Sequence, residues 1–206
     1  TPGRLGDQGV QEGFQIMKAL LFRGQGRVAV EEWPRPEAGP GQVLMRVRAC
    51  GVCGTDRHIV RGEFPAAAPV VLGHEYAGEV VAVGEGVRDL APGDQVVVDP
   101  NIACGLCRPC RRGKVHLCEN LTALGVNYDG GFAEYSLAPR AQVYPFPAHL
   151  EAAEAAMVEP VACCLHGIDL AGIGPGQTVL VIGAGAIGQI QAQLARLSGA
   201  SHVTVS

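Results

Sequence analysis

No apolar run in this chain approaches the ~20 residues that a helix needs to cross a bilayer, so its sequence contains no helical membrane span. The opening, TPGRLGDQGVQEGFQI, has neither the basic start nor the apolar centre of a secretory signal. It is glycine-rich and polar, and residues 1–16 read as a disordered tail. Nor does either sign of charge dominate, with 20 acidic and 16 basic side chains. A net charge of -4 gives no electrostatic reason for nucleic acid or a membrane surface to be a partner. There is no internal repeat, and low complexity is confined to Ala66 to Ala68. At 206 residues with 48% hydrophobic content, the chain can bury a core in one or two domains.

Cysteine, by contrast, is plentiful. Of the 8 in the chain, four crowd into CGLCRPCRRGKVHLC as Cys104, Cys107, Cys110 and Cys118. Gaps of two, two and seven residues let four sulfurs converge on one point, as a tetrahedral Zn²⁺ requires. A closed shell of four thiolates leaves no open position, so such a site shapes a loop and performs no chemistry. The alternative is four free or paired cysteines that happen to be neighbours. It fits poorly, because so many close thiols without a metal are a redox liability, and the metal spacing favours a reducing cytoplasm.

This spacing resembles the structural-zinc lobe of the zinc-dependent medium-chain alcohol and polyol dehydrogenases, and the resemblance extends from Met17 onward. It implies a second, catalytic zinc. Cys53 in CGVCGTDRH and His74 in LGHEYAG match two of its ligands, and Glu159 in MVEPVA stands where the family has its remaining one. Three protein ligands and an open position are what a catalytic zinc needs. Glutamate followed by proline looks more like the sorbitol, other polyol and threonine dehydrogenases than the familiar alcohol dehydrogenases, which use cysteine there. Glu75 matches a residue that sits beside the metal and sometimes binds it, so Glu75 and Glu159 both stay open as ligands. Thr55 matches the hydroxyl that starts a proton relay, His58, with an ordinary pKa near ~6.5, suits the handover to solvent, and Asp56 resembles the carboxylate that orients the histidine ligand.

Ordinary readings compete with each of these. Cys50 reads as a small buried hydrophobe, Glu159 alone would be a surface carboxylate at a helix start, and Cys163 and Cys164 read as core. His116 lies inside the four-cysteine lobe, where no coordination position is vacant. His149, His166 and His202 match no motif.

A hydride needs an acceptor. The run TVLVIGAGAIGQIQAQLARLSGASHVTVS has a β-rich stretch from Thr178 to Ile182, then Gly183, Gly185 and Gly188 in GxGxxG spacing, a helix to Leu197 and a strand from His202 to Val205. Strand, glycine turn and helix let backbone N–H groups, with Ala186 and Ile187 opening the helix, hold a pyrophosphate. The acidic residue that distinguishes NAD from NADP is expected roughly 20 residues after the glycines, beyond Ser206. NAD is favoured on resemblance alone, and NADP stays open. The incomplete sheet implies an N-terminal fragment of a longer enzyme, a homodimer or homotetramer when whole.

Short β-favouring segments fill the middle of the chain: Ala19 to Leu21, Val28 to Glu31, Gln42 to Ala49, Ala77 to Val83, Gln95 to Val98 and Phe132 to Leu137. Gly and Pro clusters separate them, which implies a small barrel or sandwich. The resemblance implies a GroES-like catalytic domain over 17–165 and the start of a Rossmann, doubly wound parallel-sheet domain over 166–206. The expected fold is therefore α/β with a β-rich first domain. The expected function is hydride transfer from a secondary alcohol, a polyol by resemblance, to NAD(P), with two zinc ions. Threonine and general alcohol dehydrogenases are alternatives within that class. A non-catalytic zinc-stabilised binding or assembly module is the alternative outside it.

Overall fold

A computed structural model describes residues 15–206. Nearly all of the expected tail, residues 1–16, thus lies outside the described residues, and Ile16 already opens the first strand. Along the chain, β1 (Ile16–Phe22), β2 (Val28–Pro34) and β3 (Gln42–Gly51) lead to helix α1 (Gly54–Val60), then β4 (Val70–Val71), β5 (Glu75–Val83) and β6 (Gln95–Val98). A small lobe follows with β7 (Asn101–Ile102), the one-turn α2 (Arg108–Arg111) and β8 (Thr122–Ala123), before β9 (Tyr135–Pro139) and β10 (Val143–Pro145). The chain ends with α3 (Ala152–Ala155), α4 (Val158–Ala171), β11 (Thr178–Val181), α5 (Ala186–Leu197) and β12 (His202–Val205).

Five antiparallel strands in the order β10-β6-β5-β3-β9 form the main sheet, and β2-β1-β4 form a second. Val43 and Met45 from β3, Tyr76 and Val80 from β5, and Val96 and Val98 from β6 meet with Val143 in one core, where period-two alternation of side chains puts them on one face. Two register shifts in the β3–β5 pair, at Leu44/Met45 and Val47/Ala49, bend this sheet. A second core of Phe22, Ile59, Val70, Leu72 and Val126 seats α1. The end of β3, the start of β5 and the start of α1 thereby converge at one edge of the main sheet.

The expected strand over Phe132 to Leu137 needs correction, because pairing in β9 begins only at Tyr135. Residues 132–134 instead spend their backbone groups on other segments. Phe132 donates to the Leu72 carbonyl at 2.9 Å and accepts from Leu20 at 2.8 Å, and the Glu134 N–H bonds to the Lys18 carbonyl at 3.1 Å. This stretch links the two sheets rather than extending one.

The final unit is strand, turn, helix, strand. β11 and β12 pair in parallel from Thr178↔His202 to Val181↔Val205, and Ile168 of α4, Ala195 of α5 and Ala200 pack against them. Helix α4 runs through residues 165 and 166, where the change of domain is expected, and stops at Gly172 in the left-handed conformation, φ 63°.

Candidate metal centres and cofactor turn

Cys53 is the N-cap of α1, and the side chain of Asp56, three residues on, reaches back to accept the Cys53 N–H at 2.9 Å. The same carboxylate accepts the Gly73 N–H at 3.3 Å through its other oxygen. One buried aspartate thus ties the start of α1 to the Gly73–His74 turn. Cys53, His74 and Glu75 each bring a ligand atom within 4.8 Å of the others, with His74 buried and the other two half-buried. His74 Nδ1 lies 3.5 Å from Asp56 Oδ1, close enough for an ion pair but too poorly aligned for a hydrogen bond, so Nδ1 is a buried polar atom without a partner. Burial disfavours the charged imidazole. The Asp56 carboxylate and the Cys53 sulfur outweigh it and hold His74 up at about 9.

A 560 Å³ cleft beside His74 is lined by Thr55, His74 and Glu159, with Phe64, Leu121 and Val126 among its apolar walls. Glu159 stands in the first turn of α4, outside the 4.8 Å trio. Burial raises its pKa, an effect partly offset by a bond from the Cys163 thiol. Thr55 Oγ1 is 3.7 Å from the Cys53 sulfur. His58 faces outward, its Nδ1 paired with Glu63 at 2.5 Å. Cys50 is a half-buried thiol pushed up to about 12, chiefly by burial.

The lobe gathers the other set. Cys104, Cys107, Cys110 and Cys118 hold their sulfurs within 4.8 Å of one another. The Cys107–Cys110 and Cys107–Cys118 separations are 3.3 and 3.9 Å, far beyond the ~2.05 Å of a disulfide and near the sulfur spacing around a tetrahedral ion with bonds of about 2.3 Å. Backbone N–H groups complete the cradle. Cys118 Sγ accepts from Cys104 and Asn120, and Cys104 Sγ accepts from Cys107. Such bonds, led by those from Leu106 and Cys107, pull Cys104 down to about 6, while desolvation and the neighbouring sulfurs push Cys110 up to about 12. Four clustered sulfurs with opposed ionisation fit a cation that removes all four protons. The Cys53, His74 and carboxylate set likewise fits a borderline-soft ion such as Zn²⁺.

At the glycine turn, Gly183 takes φ 106° and its N–H bonds to the Ser206 carbonyl at 2.8 Å. A Cβ on Gly188 would lie 1.7 Å from the Gly183 oxygen, so only glycine lets α5 start this close to β11. Gly185 caps the helix, and Ala186 and Ile187 form its first turn.

Sequence reasoning misplaced one thiol and missed one contact. Cys164 is buried as expected, but Cys163 is exposed rather than core. Four residues from Glu159 on α4, it lies over the same helix face, and its Sγ is 3.4 Å from Glu159 Oε1. Burial and that carboxylate push the thiol up to about 11. The missed contact brings the rings of His116, from the lobe, and His166, from α4, to 4.9 Å between centroids; no motif marks it, because it joins two distant segments.

The alcohol dehydrogenase GroES-like domain family matches residues 39–148, more than half of the chain. The chain belongs to this family. Its first domain is a GroES-like domain, and the unit from β11 to β12 is the start of a Rossmann sheet. It is 42% identical over 190 residues to a sorbitol dehydrogenase of Halalkalibacterium halodurans, covering 91% of this chain and 55% of that protein. It is 39% identical over 198 residues to an L-threonine 3-dehydrogenase of Pseudoalteromonas translucida, covering 92% and 57%. Among solved structures, a protein of Sinorhizobium meliloti 1021 described as a zinc-binding dehydrogenase and bound to NADP superposes with TM-score 0.91 at 51% identity, covering 93% of this chain and 56% of that one. The chain spans little more than half the length of the curated relatives it matches. Among the described residues no helix is long and apolar enough to cross a membrane.

Proposed function

We propose that this chain carries the metal site and the opening of the nicotinamide site of a zinc-dependent, NAD(P)-linked dehydrogenase that oxidises a secondary hydroxyl of a polyol to a ketone. The convergence of the Cys53 thiol, the His74 imidazole and the Glu75 carboxylate within 4.8 Å, with His74 and Glu159 lining one cleft, carries this reading. Cys53, His74 and Glu159, or Glu75 in place of Glu159, would hold a Zn²⁺ ion that supplies Lewis acidity to the substrate hydroxyl when bound.

The chain's own residues do the rest. Asp56, 3.5 Å from His74 Nδ1, orients the imidazole and favours its coordinating tautomer. Thr55 lines the cleft beside the Cys53 sulfur and relays the proton that the substrate hydroxyl loses, accepting it on Oγ1 as its own hydroxyl proton passes on toward solvent. His58, exposed and paired with Glu63, delivers that proton to water. Phe64, Leu121 and Val126 form an apolar wall that thins the water around the reacting carbon. Gly183, Gly185 and Gly188, with the N–H groups of Ala186 and Ile187, hold the cofactor pyrophosphate at the start of α5. NAD is the cofactor of this reading, and NADP stays beside it because the Sinorhizobium meliloti relative binds NADP. Cys104, Cys107, Cys110 and Cys118 hold a second zinc with no open position.

Assembly as a homodimer or homotetramer and a reducing, cytoplasmic setting belong to the same reading. Eight cysteines without a disulfide support the setting. Metal analysis of the purified chain, followed by a coenzyme-reduction screen of sugar alcohols, threonine and simple alcohols with both cofactors, tests it. Two zinc ions and polyol-dependent reduction are expected. One inert zinc and no turnover would favour a zinc-stabilised binding module.

A further inference from the structure

Glu159 lines two cavities at once. One is the 560 Å³ cleft shared with His74 and Thr55, and the other is a 420 Å³ cavity shared with Cys163, His166 and His116. A glutamate between two cavities has rotamers that reach either, so a ligand role requires something that fixes its carboxylate. Among the described residues its one hydrogen-bond partner is the Cys163 thiol, 3.4 Å from Oε1. The two residues are four apart on α4, where side chains stack along one face, so a rigid helix sets the spacing. His74, only 8% exposed, also lines the first cavity, and with its Nδ1 3.5 Å from Asp56 Oδ1 the other ring nitrogen is the one left for a ligand there.

We infer that Cys163 is a positioning residue for Glu159. Its S–H donates to Oε1, restrains the carboxylate and leaves Oε2 free to face the ion that Cys53 and His74 hold. This rests on the proposed metal site, with Glu159 as its carboxylate ligand. The contact acts on the ligand from outside the coordination shell, where removing a partner lowers metal affinity by about 10–100-fold. A thiol is a weak donor, so the lower end of that range applies.

The test compares the 206-residue chain with its Cys163→Ala and Cys163→Ser variants. Each is loaded with Zn²⁺, titrated with a competing chelator, then reloaded with Co²⁺ for visible absorption. The ion held by the four lobe thiols reports folding in every sample. Cys163→Ala is expected to release its second ion at about tenfold lower chelator strength and to shift the Co²⁺ bands of that site, with Cys163→Ser restoring part of both. A wild-type chain holding two ions beside a Cys163→Ala variant with unchanged release and spectrum would overturn the inference and leave the metal site standing. A wild-type chain holding only the lobe ion would overturn both.

Discussion

Asp56 Oδ1 lies 3.5 Å from His74 Nδ1, while Oδ2 of the same carboxylate accepts the Cys53 backbone N–H at 2.9 Å. One side chain therefore sets the position of two proposed ligands from different elements, α1 and the turn before β5. Asp56→Asn keeps the shape but removes the charge. Zinc affinity at this site is expected to fall by about 10–100-fold, read by chelator competition, with the lobe zinc retained. In the metal-free protein the His74 pKa, held at about 9 largely by this carboxylate, moves downward in the variant, because a nearby negative charge stabilises the imidazolium and burial opposes it. Histidine NMR titration checks the direction.

Ile59 is fully buried beneath α1 in the cluster with Phe22, Val70 and Leu72. Ile59→Ala leaves a cavity there and is expected to cost about 2–5 kcal/mol, measured by urea unfolding. Because α1 also carries Cys53 and Asp56, the same variant should weaken zinc binding at their site more than at the lobe.

Gly188→Ala places a methyl 1.7 Å from the Gly183 carbonyl oxygen. Either α5 withdraws from β11 or the turn opens. Overpacking of this kind costs about 1–3 kcal/mol, and binding of NAD or NADP should weaken with it. Calorimetric titration of the variant beside wild type checks the second effect, and a full-affinity variant would remove the glycine turn from the cofactor site.

Cys107 lies between Cys110 and Cys118, at 3.3 and 3.9 Å. Cys107→Ser should lower the zinc content by one ion per chain and expose the segment between residues 104 and 118 to limited proteolysis, since the metal is what holds so few residues in shape. The main sheet, with its own core of Val43, Met45, Val80 and Val96, should survive. Digestion followed by mass spectrometry locates the cuts.

These sites differ in how far the sequence declared them. The four-cysteine lobe and the glycine turn are local patterns, with every participant within fifteen residues or so, and their spacing is itself the geometry. β6 and β12 begin and end where β-favouring residues do. The neighbourhood of His74 is legible only through the resemblance, because the Gly51–Glu75 register of β3 and β5, and not spacing, brings Cys53 near His74, while Glu159 comes from the distant helix α4. β9 begins late because residues 132–134 bond to β1, to Leu72 and to Val47 of β3, a tertiary demand that no local pattern encodes. The apolar character of α4 implies a core position for Cys163, whereas the 100° step per residue in a helix turns Cys164 inward and leaves Cys163 beside Glu159. Short pieces such as β4 and β7 form because partners cross them, and their sequences carry little sign of it.

The most direct measurement is anomalous diffraction at the zinc absorption edge from crystals of the zinc-loaded chain. Two peaks are expected, one enclosed by the sulfurs of Cys104, Cys107, Cys110 and Cys118, the other bounded by Cys53 Sγ, a His74 ring nitrogen and the carboxylate of Glu159 or Glu75. A lone peak in the lobe, with Cys53 and His74 turned away from any shared ion, would contradict the account.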